Sequence, residues 1–384
     1  MGGEAGLYQG ISLCDTETNR FSEMPLRGGD KVKILHTADI HLKEYEDERW
    51  RTLEELIKIG KQEKIEIFVI SGDLFDTGIN AENLRPKIRD IFSNAGFKIV
   101  LIPGNHDSDC YPAGTYFGGD ASILADLNVP FEHGELNIWG MPFEPIDGEG
   151  ILRRLHHLAS RSSSSKKNIL LYHGELLDAF FSRTDFGEEG EERYMPVKLS
   201  YFKDLNIDYV LAGHFHSSFD VHKLESGGYF VYPGSPVSIT KKETGRRRVN
   251  IFEVGQPPKE YYLDTPHFEE ILIELDPFQR ENPVEVVTGR LVSLHPEARG
   301  ILTVKGFVNG EALGVTETGL VEQIEQVAGN RCVNKHYEFK DIGLILEDDL
   351  FKSFVEKLTR TDYEEEKKKR MRLMAIRAMM QVRS

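Results

Sequence analysis

The feature that most constrains this chain is a repeated join: a short apolar run, a tight turn, then side chains that bind protons or cations. It is clearest in Val100-Leu-Ile-Pro-Gly-Asn-His-Asp107. Phe97 to Ile102 reads as a buried strand, Pro103-Gly104 as a turn, and Asn105, His106 and Asp107 follow at once. Such residues sit on a loop at the carboxyl end of a strand, where open α/β sheets place their ligands. The join recurs. Lys31 to Thr37 runs into Asp39 and His41, and Ile65 to Ile70 into Asp73. Ile169 to Tyr172 runs into His173, and Asp208 to Leu211 into His214 and His216. Each case alone has an ordinary explanation, since Gly-Asp is common in turns and His214 and His216 share a strand face by alternation. Five such strand ends in one chain point to a site.

Between these strands the apolar spacing turns helical. Trp50, Leu53, Leu56 and Ile57 mark a helix over Arg49 to Gly60, and another spans about Ala81 to Ala95. This strand–helix rhythm, about thirty residues per unit, predicts a helix-covered α/β sheet. Asn137 to Pro142 and Tyr229 to Tyr232 are further strands, the second closed by Pro233-Gly234-Ser235-Pro236, and acidic Asp185 to Arg193 reads as a loop. Near Thr265-Pro266 the pattern changes. An alternating strand over Arg299 to Val308, a helix over Thr316 to Val327 and a strand over Val333 to Phe339 predict a smaller α+β domain. Two helices end the chain, Asp349 to Leu358 and Tyr363 to Val382. The expected division is a loosely ordered 1–30, a main domain 31–265, a second domain 266–345 and a helical segment 346–384.

A chain of 384 residues exceeds one ordinary core, and 40% hydrophobic residues suit a soluble globular protein. No apolar run approaches the ~20 residues that span a bilayer, and the first thirty residues do not read as a secretory signal. The cysteines Cys14, Cys110 and Cys332 have no zinc-type spacing and fit a reducing, cytoplasmic compartment. A formal charge of −16 argues against a general basic surface for nucleic acid, though bound divalent cations would offset it locally.

Carboxylate, imidazole and amide oxygen together suit two adjacent borderline transition metals rather than calcium or a thiolate site. Two metals about 3.5–4 Å apart need a bridging ligand, which a carboxylate supplies. In order, Asp39-x-His41, Gly72-Asp73-x-x-Asp76, Gly104-Asn105-His106-Asp107, His173 and Gly213-His214-x-His216 resemble the complete signature of calcineurin-like metallophosphoesterases. More narrowly, His36-Thr-Ala-Asp-Ile-His-Leu42, Gly72-Asp-Leu-Phe-Asp-Thr-Gly78 and Tyr232-Pro-Gly-Ser-Pro236 resemble the SbcD-type DNA double-strand-break repair nucleases. The close resemblance covers about Lys31 to Thr265.

The resemblance implies an α/β metallophosphoesterase sandwich, two mixed β-sheets flanked by helices, with a capping, DNA-recognition domain and a C-terminal helical segment. It implies two divalent ions, Mn²⁺ foremost: Asp39, His41 and His216 on one, Asn105, His173 and His214 on the other, Asp73 bridging. Hydroxide would attack a polarised phosphate in line. His106, off the metals, would stabilise or protonate the departing oxygen. Asp107 either orients that imidazole or is a solvated loop carboxylate. Archaeal relatives carry a second histidine where Asp76 stands and bacterial relatives an aspartate, which favours the bacterial type.

The implied function is a DNA phosphodiesterase, a double-strand 3′–5′ exonuclease and single-strand endonuclease, acting as a homodimer with an SbcC-like coiled-coil ATPase. The alternative is a phosphoesterase for small phosphodiesters or phosphomonoesters. Lys241-Lys242 and Arg246-Arg-Arg248 either track a phosphate backbone or form a solvated turn. In the tail, Leu350, Phe351, Phe354 and Leu358 form one helical stripe, and Met371 and Met374 lie in a methionine-rich helix. Such helices make adaptable partner surfaces, so these six residues are the expected ATPase contacts. A helix packed on its own domain is the other reading.

Overall fold

The computed structural model describes residues 31–79, 81–179, 194–278 and 281–383. The expectations for residues 1–30 and for the loop Asp185 to Arg193 lie outside them.

The first strands are β1 (Lys33–Thr37), β2 (Ile67–Ser71), β3 (Lys98–Ile102) and β4 (Ala121–Ile123). A second group follows: β5 (Phe131–His133), β6 (Leu136–Met141), β7 (Lys167–His173), β8 (Tyr209–Gly213), β9 (Asp220–Lys223) and β10 (Tyr229–Tyr232). The chain then returns to the first sheet with β11 (Arg248–Glu253) and β12 (Glu260–Tyr262). One six-stranded sheet has the order β12-β11-β1-β2-β3-β4 and the other β5-β6-β7-β8-β10-β9. Both are mixed. β1, β2, β3 and β4 run parallel while β11 pairs antiparallel with β1, and β6, β7, β8 and β10 run parallel while β5 and β9 are antiparallel edges.

The strands read as continuous apolar runs because both faces are covered. Ile67 and Val69 of β2 point between the sheets, among Val100, Ile138, Leu171 and Leu211. Phe68 and Ile70 point outward, beneath the helices Glu48–Glu63 and Ala81–Ser93. The first helix starts where the Asp47 side chain accepts the Trp50 N–H at 2.7 Å. It buries Trp50, Leu53, Leu56 and Ile57 on one face. Each full burial of this kind stabilises by roughly 1.5–3 kcal/mol. The helix Gly148–Arg161 covers the second sheet in the same way, through Ile151, Leu155 and Leu158.

Beyond Thr265, β13 (His267–Leu275), β14 (Ala298–Val308) and β15 (Cys332–Asp341) form a wholly parallel sheet. The helices Pro283–Ser293 and Glu317–Ala328 make its crossovers. The alternation of β13, buried at Ile271, Ile273 and Leu275, escaped the sequence reading because glutamates interrupt and precede it.

The tail helices Asp349–Thr359 and Glu365–Arg383 pack onto the end of this sheet. Phe351 and Ile376 close a small core with Ile342 and Ile345, with Phe307 and Phe354 packed against it. Phe351 and Leu358 therefore leave the expected partner surface, since their apolar area is buried by the chain itself. Leu350 (73% exposed) and Met374 (70%) do face outward, while Phe354 and Met371 are half-buried.

Candidate metal centre

The carboxyl ends of β1, β2, β3, β7 and β8 meet on one side of the sandwich. The loops after β1 and β2 continue the sheet pairing past the strands. Asp39 donates its N–H to Gly72 O (3.1 Å), His41 to Asp73 O (3.0 Å) and Leu42 to Leu74 O (2.8 Å). The stitched loops hold left-handed backbone on bulky polar residues, with φ +55° at Asp39, +50° at His41 and +53° at Asp73, and His214 after β8 has φ +90°. Strained backbone of this kind costs on the order of 1–3 kcal/mol per residue and persists only where its surroundings over-determine it. Two glycines permit the crowding. A Cβ on Gly104 would lie 2.1 Å from Asp73 Oδ1, and one on Gly72 would lie 2.0 Å from His173 Nδ1.

Asp73 stands at the centre, fully buried. Its Oδ1 accepts the backbone N–H of His106 at 3.0 Å. Its Oδ2 accepts no hydrogen bond and lies 3.3 Å from His173 Nε2 and 3.7 Å from His41 Nε2. Asp39 takes the His214 N–H on both oxygens, each at 3.1 Å, and its Oδ1 lies 3.7 Å from His216 Nε2. Ligand atoms of Asp39, His41 and His216 come within 4.8 Å of one another, as do those of Asp39, Asp73 and His173. The His214 ring lies 5.4 Å from that of His173.

The hydrogen bonding fits cations at this place. His173 Nδ1 lies 2.8 Å from the carbonyl of Ser71, which only accepts, so Nδ1 carries a proton. In the neutral ring Nε2 is then a bare lone pair, yet it faces two more acceptors, Asp73 Oδ2 and Asn105 Oδ1, the latter at 2.8 Å. Acceptors converge on acceptors, an arrangement that a second proton or a metal ion reconciles.

The electrostatics agree. Burial raises the Asp39 carboxyl above the usual carboxylate range despite the nearby imidazoles. Burial would raise Asp73 too, but His173 above all, with His41 and His106, holds it well below that range. Burial would lower His173, but the Asp73 carboxylate beside it, with Asp39 and the Ser71 carbonyl, pushes it up to about 10. Two buried carboxylates here demand positive charge.

His106 lies at the rim, 20% exposed, with its ring 4.7 Å from that of His41 and its Nδ1 against the Thr77 hydroxyl. Asp107 is not its partner, which corrects the expectation of a catalytic or solvated carboxylate. The Asp107 side chain is buried and accepts from Gly104 N (2.7 Å), Phe75 N (3.1 Å) and Tyr111 Oη (2.8 Å). Burial and the charge of Asp73 raise it to about 7. It folds the loop that carries Asn105 and His106.

Three more side chains frame the centre, and of these only Glu243 lies outside every motif singled out in the sequence. Asp76 lies between His41 Nδ1 (3.7 Å) and His106 Nδ1 (3.8 Å), clamped by Arg49 (2.6 Å) and Lys43 (2.9 Å). Glu243 meets His216 Nδ1 at 3.3 Å. Arg247 is buried, donating to the carbonyls of Ser235 (2.9 Å), Ser217 (3.2 Å) and His216. The basic run is thus largely engaged internally: Arg246 bonds Asp264, Arg248 meets Glu260 at 3.5 Å and Lys241 donates to Asn334 at 2.7 Å. A buried arginine inside a run of charges leaves no periodic signal.

The family model for calcineurin-like phosphoesterases matches residues 32–218. The chain carries a calcineurin-like metallophosphoesterase domain, with the fold of two mixed sheets flanked by helices that defines it. Over 232 residues it is 28% identical to the DNA double-strand break repair protein Mre11 of Sulfurisphaera tokodaii, covering 56% of each chain, so it spans about half of that relative's length. Among solved structures, a 5′-nucleotidase precursor from Thermus thermophilus is similar at TM-score 0.38 and 15% identity, covering 61% of this chain and 54% of that one. A dimetal phosphatase from Danio rerio is similar at TM-score 0.36 and 10% identity, covering 60% and 98%. Residues 32–218 thus match a family of phosphoesterases, and no helix among the described residues is long and apolar enough to cross a membrane.

Proposed function

We propose that the chain is a manganese-dependent DNA phosphodiesterase with a binuclear centre, the nuclease subunit of a cytoplasmic SbcCD-like repair complex. The observation that carries the centre is Asp73 Oδ2, an acceptor without a donor between the Nε2 atoms of His41 and His173. Asp39, His41 and His216 would hold one ion, Asn105, His173 and His214 the other, with Asp73 shared. Bound there, the ions would polarise a phosphate and make a water more acidic. The chain's own groups do the rest. The Asp73–His106 backbone bond fixes the distance from bridge to rim, and the His106 imidazole can donate to the oxygen that leaves. The similarity to the DNA double-strand break repair protein Mre11 supports DNA as substrate, and the reading takes the action to be that of a double-strand 3′–5′ exonuclease and single-strand endonuclease. The reading includes a homodimer, with exposed Leu350 and Met374 meeting a coiled-coil ATPase.

The charge of −16 favours a second reading, a phosphoesterase for small diesters or monoesters that needs no polyanion track. Purified protein with Mn²⁺ separates them. The nuclease reading expects degradation of linear duplex DNA at protein concentrations where cyclic nucleotides survive. Hydrolysis of bis-p-nitrophenyl phosphate and cyclic nucleotides with DNA untouched would establish the second.

A further inference from the structure

The two acidic–imidazole walls of the centre are built by the same device from different parts. His173 is held by a backbone carbonyl, Ser71 O. His216 is held by a side chain, the carboxylate of Glu243, which comes from a segment outside the metallophosphoesterase motifs. Glu243 is fully buried and its two oxygens divide the work. Oε2 accepts from Ile239 N (2.8 Å) and Ser235 Oγ (3.2 Å). Oε1 faces His216 Nδ1 and accepts from Thr240 N and Oγ1, each at 3.2 Å. Arg247 grips the same turn from the other side through the His216 and Ser235 carbonyls. A surface turn needs none of this. A carboxylate facing Nδ1 fixes the proton there and leaves Nε2 bare toward Asp39, the tautomer a metal ligand requires.

We infer that Glu243 is a positioning residue for the metal centre: its carboxylate sets the tautomer and direction of His216, and so the affinity of the ion held by Asp39, His41 and His216. The inference rests on the binuclear reading above. The informative substitution is Glu243→Gln, because an amide has one oxygen. With that oxygen kept on Ile239 N and Ser235 Oγ, the NH₂ takes the place of Oε1, deprives Thr240 N of its acceptor, and faces His216 Nδ1, which reverses the tautomer and places the proton on Nε2.

Two measurements test it, neither of them turnover. In metal-free protein, ¹⁵N spectra of the His216 ring should show the Nδ1–H form in the wild type and the Nε2–H form in Glu243→Gln. In Mn²⁺ titration the wild type should take up two ions, and the variant should keep one while the other binds about 10–100-fold more weakly. Glu243→Asp, which keeps the charge one methylene shorter, should show a smaller loss of the same ion and carries the test if the Gln variant does not fold. A variant that binds both ions as the wild type does, or loses both equally, overturns the inference. So does an unchanged His216 tautomer in the Gln variant. A wild type that binds no Mn²⁺ instead refutes the binuclear reading itself.

Discussion

The chain contains parallel strands ending in Asp or Asn in two places, and only one of them gathers a site. At the carboxyl ends of the three-stranded sheet β13-β14-β15 stand Asp276, Asn309 and Asp341. Asn309 accepts Ala312 N at 3.1 Å, and Asp341 Oδ1 accepts both Gly310 N (3.0 Å) and Gly343 N (2.9 Å). Asp276 accepts Phe278 N at 3.0 Å and meets Lys369 at 3.4 Å. These lone pairs are used by the turns that follow. At the ends of β1 and β2, Asp39 and Asp73 also take a backbone N–H each, but keep oxygens aimed at imidazoles. A polar residue at a strand end is therefore the rule of the architecture. What makes a site is an acceptor that the local backbone leaves unused, surrounded by other acceptors.

Asp73→Asn is the sharpest way to break this contrast. It keeps the shape and replaces one acceptor oxygen with a donor, so the proposed bridge and one of the two buried carboxylate charges, Asp39 and Asp73, are lost. Occupancy of both ions should fall. Loss of several kcal/mol of transition-state charge stabilisation corresponds to about 10³-fold or more in rate. Metal analysis and turnover on one preparation check it. Two ions retained at wild-type affinity would show that Asp73 does not bridge them.

How far the sequence reveals this contrast depends on where the lone pairs go. The joins at Asp39, Asp73, Asn105, His173 and His214 are visible because each follows an apolar run directly, and the structure brings all of them to one face. Asp107 sits in the same kind of join and reads the same way, yet Gly104, Phe75 and Tyr111 occupy its oxygens. Phe75 comes from another loop, so nothing near Asp107 in sequence announces it. Glu243 is invisible for the converse reason, since its partner His216 is far along the chain, and Asp76, legible as a motif residue, gives no sign in sequence of its ties to Arg49 and His41. The apolar stripe of the tail is legible as a stripe, but periodicity does not say whether a partner or the chain's own Ile342 and Ile345 will cover it.

Asp107→Ala sharpens the distinction within the site loop itself. It leaves two buried N–H groups and a tyrosine hydroxyl without their acceptor, which should destabilise by about 2–4 kcal/mol. Below the melting transition, both ions and the rate per folded molecule should stay close to wild type. A selective loss of rate with unchanged denaturant midpoint would return Asp107 to the chemistry.

The smallest expected effect comes from the other half of the comparison, Asp341→Ala. Here the acceptor serves Gly310 N and Gly343 N, the first residues of two short helical turns, in a corner so tight that a Cβ on Gly310 would lie 2.3 Å from Asp341 Oδ2. Gly310 is buried and Gly343 half-buried beside the exposed Asp341, so water replaces the lost partner only in part, and the cost should be about 1–2 kcal/mol. Faster amide exchange at Gly310 and Gly343 should report it locally, with a melting shift of a few degrees at most. Because its oxygens face no other acceptors, Mn²⁺ uptake and phosphodiester hydrolysis should not change. A drop in ion stoichiometry on replacing Asp341 would mean that a strand-end carboxylate already satisfied by its own turns still holds metal, and the distinction drawn between the two sheets would fail.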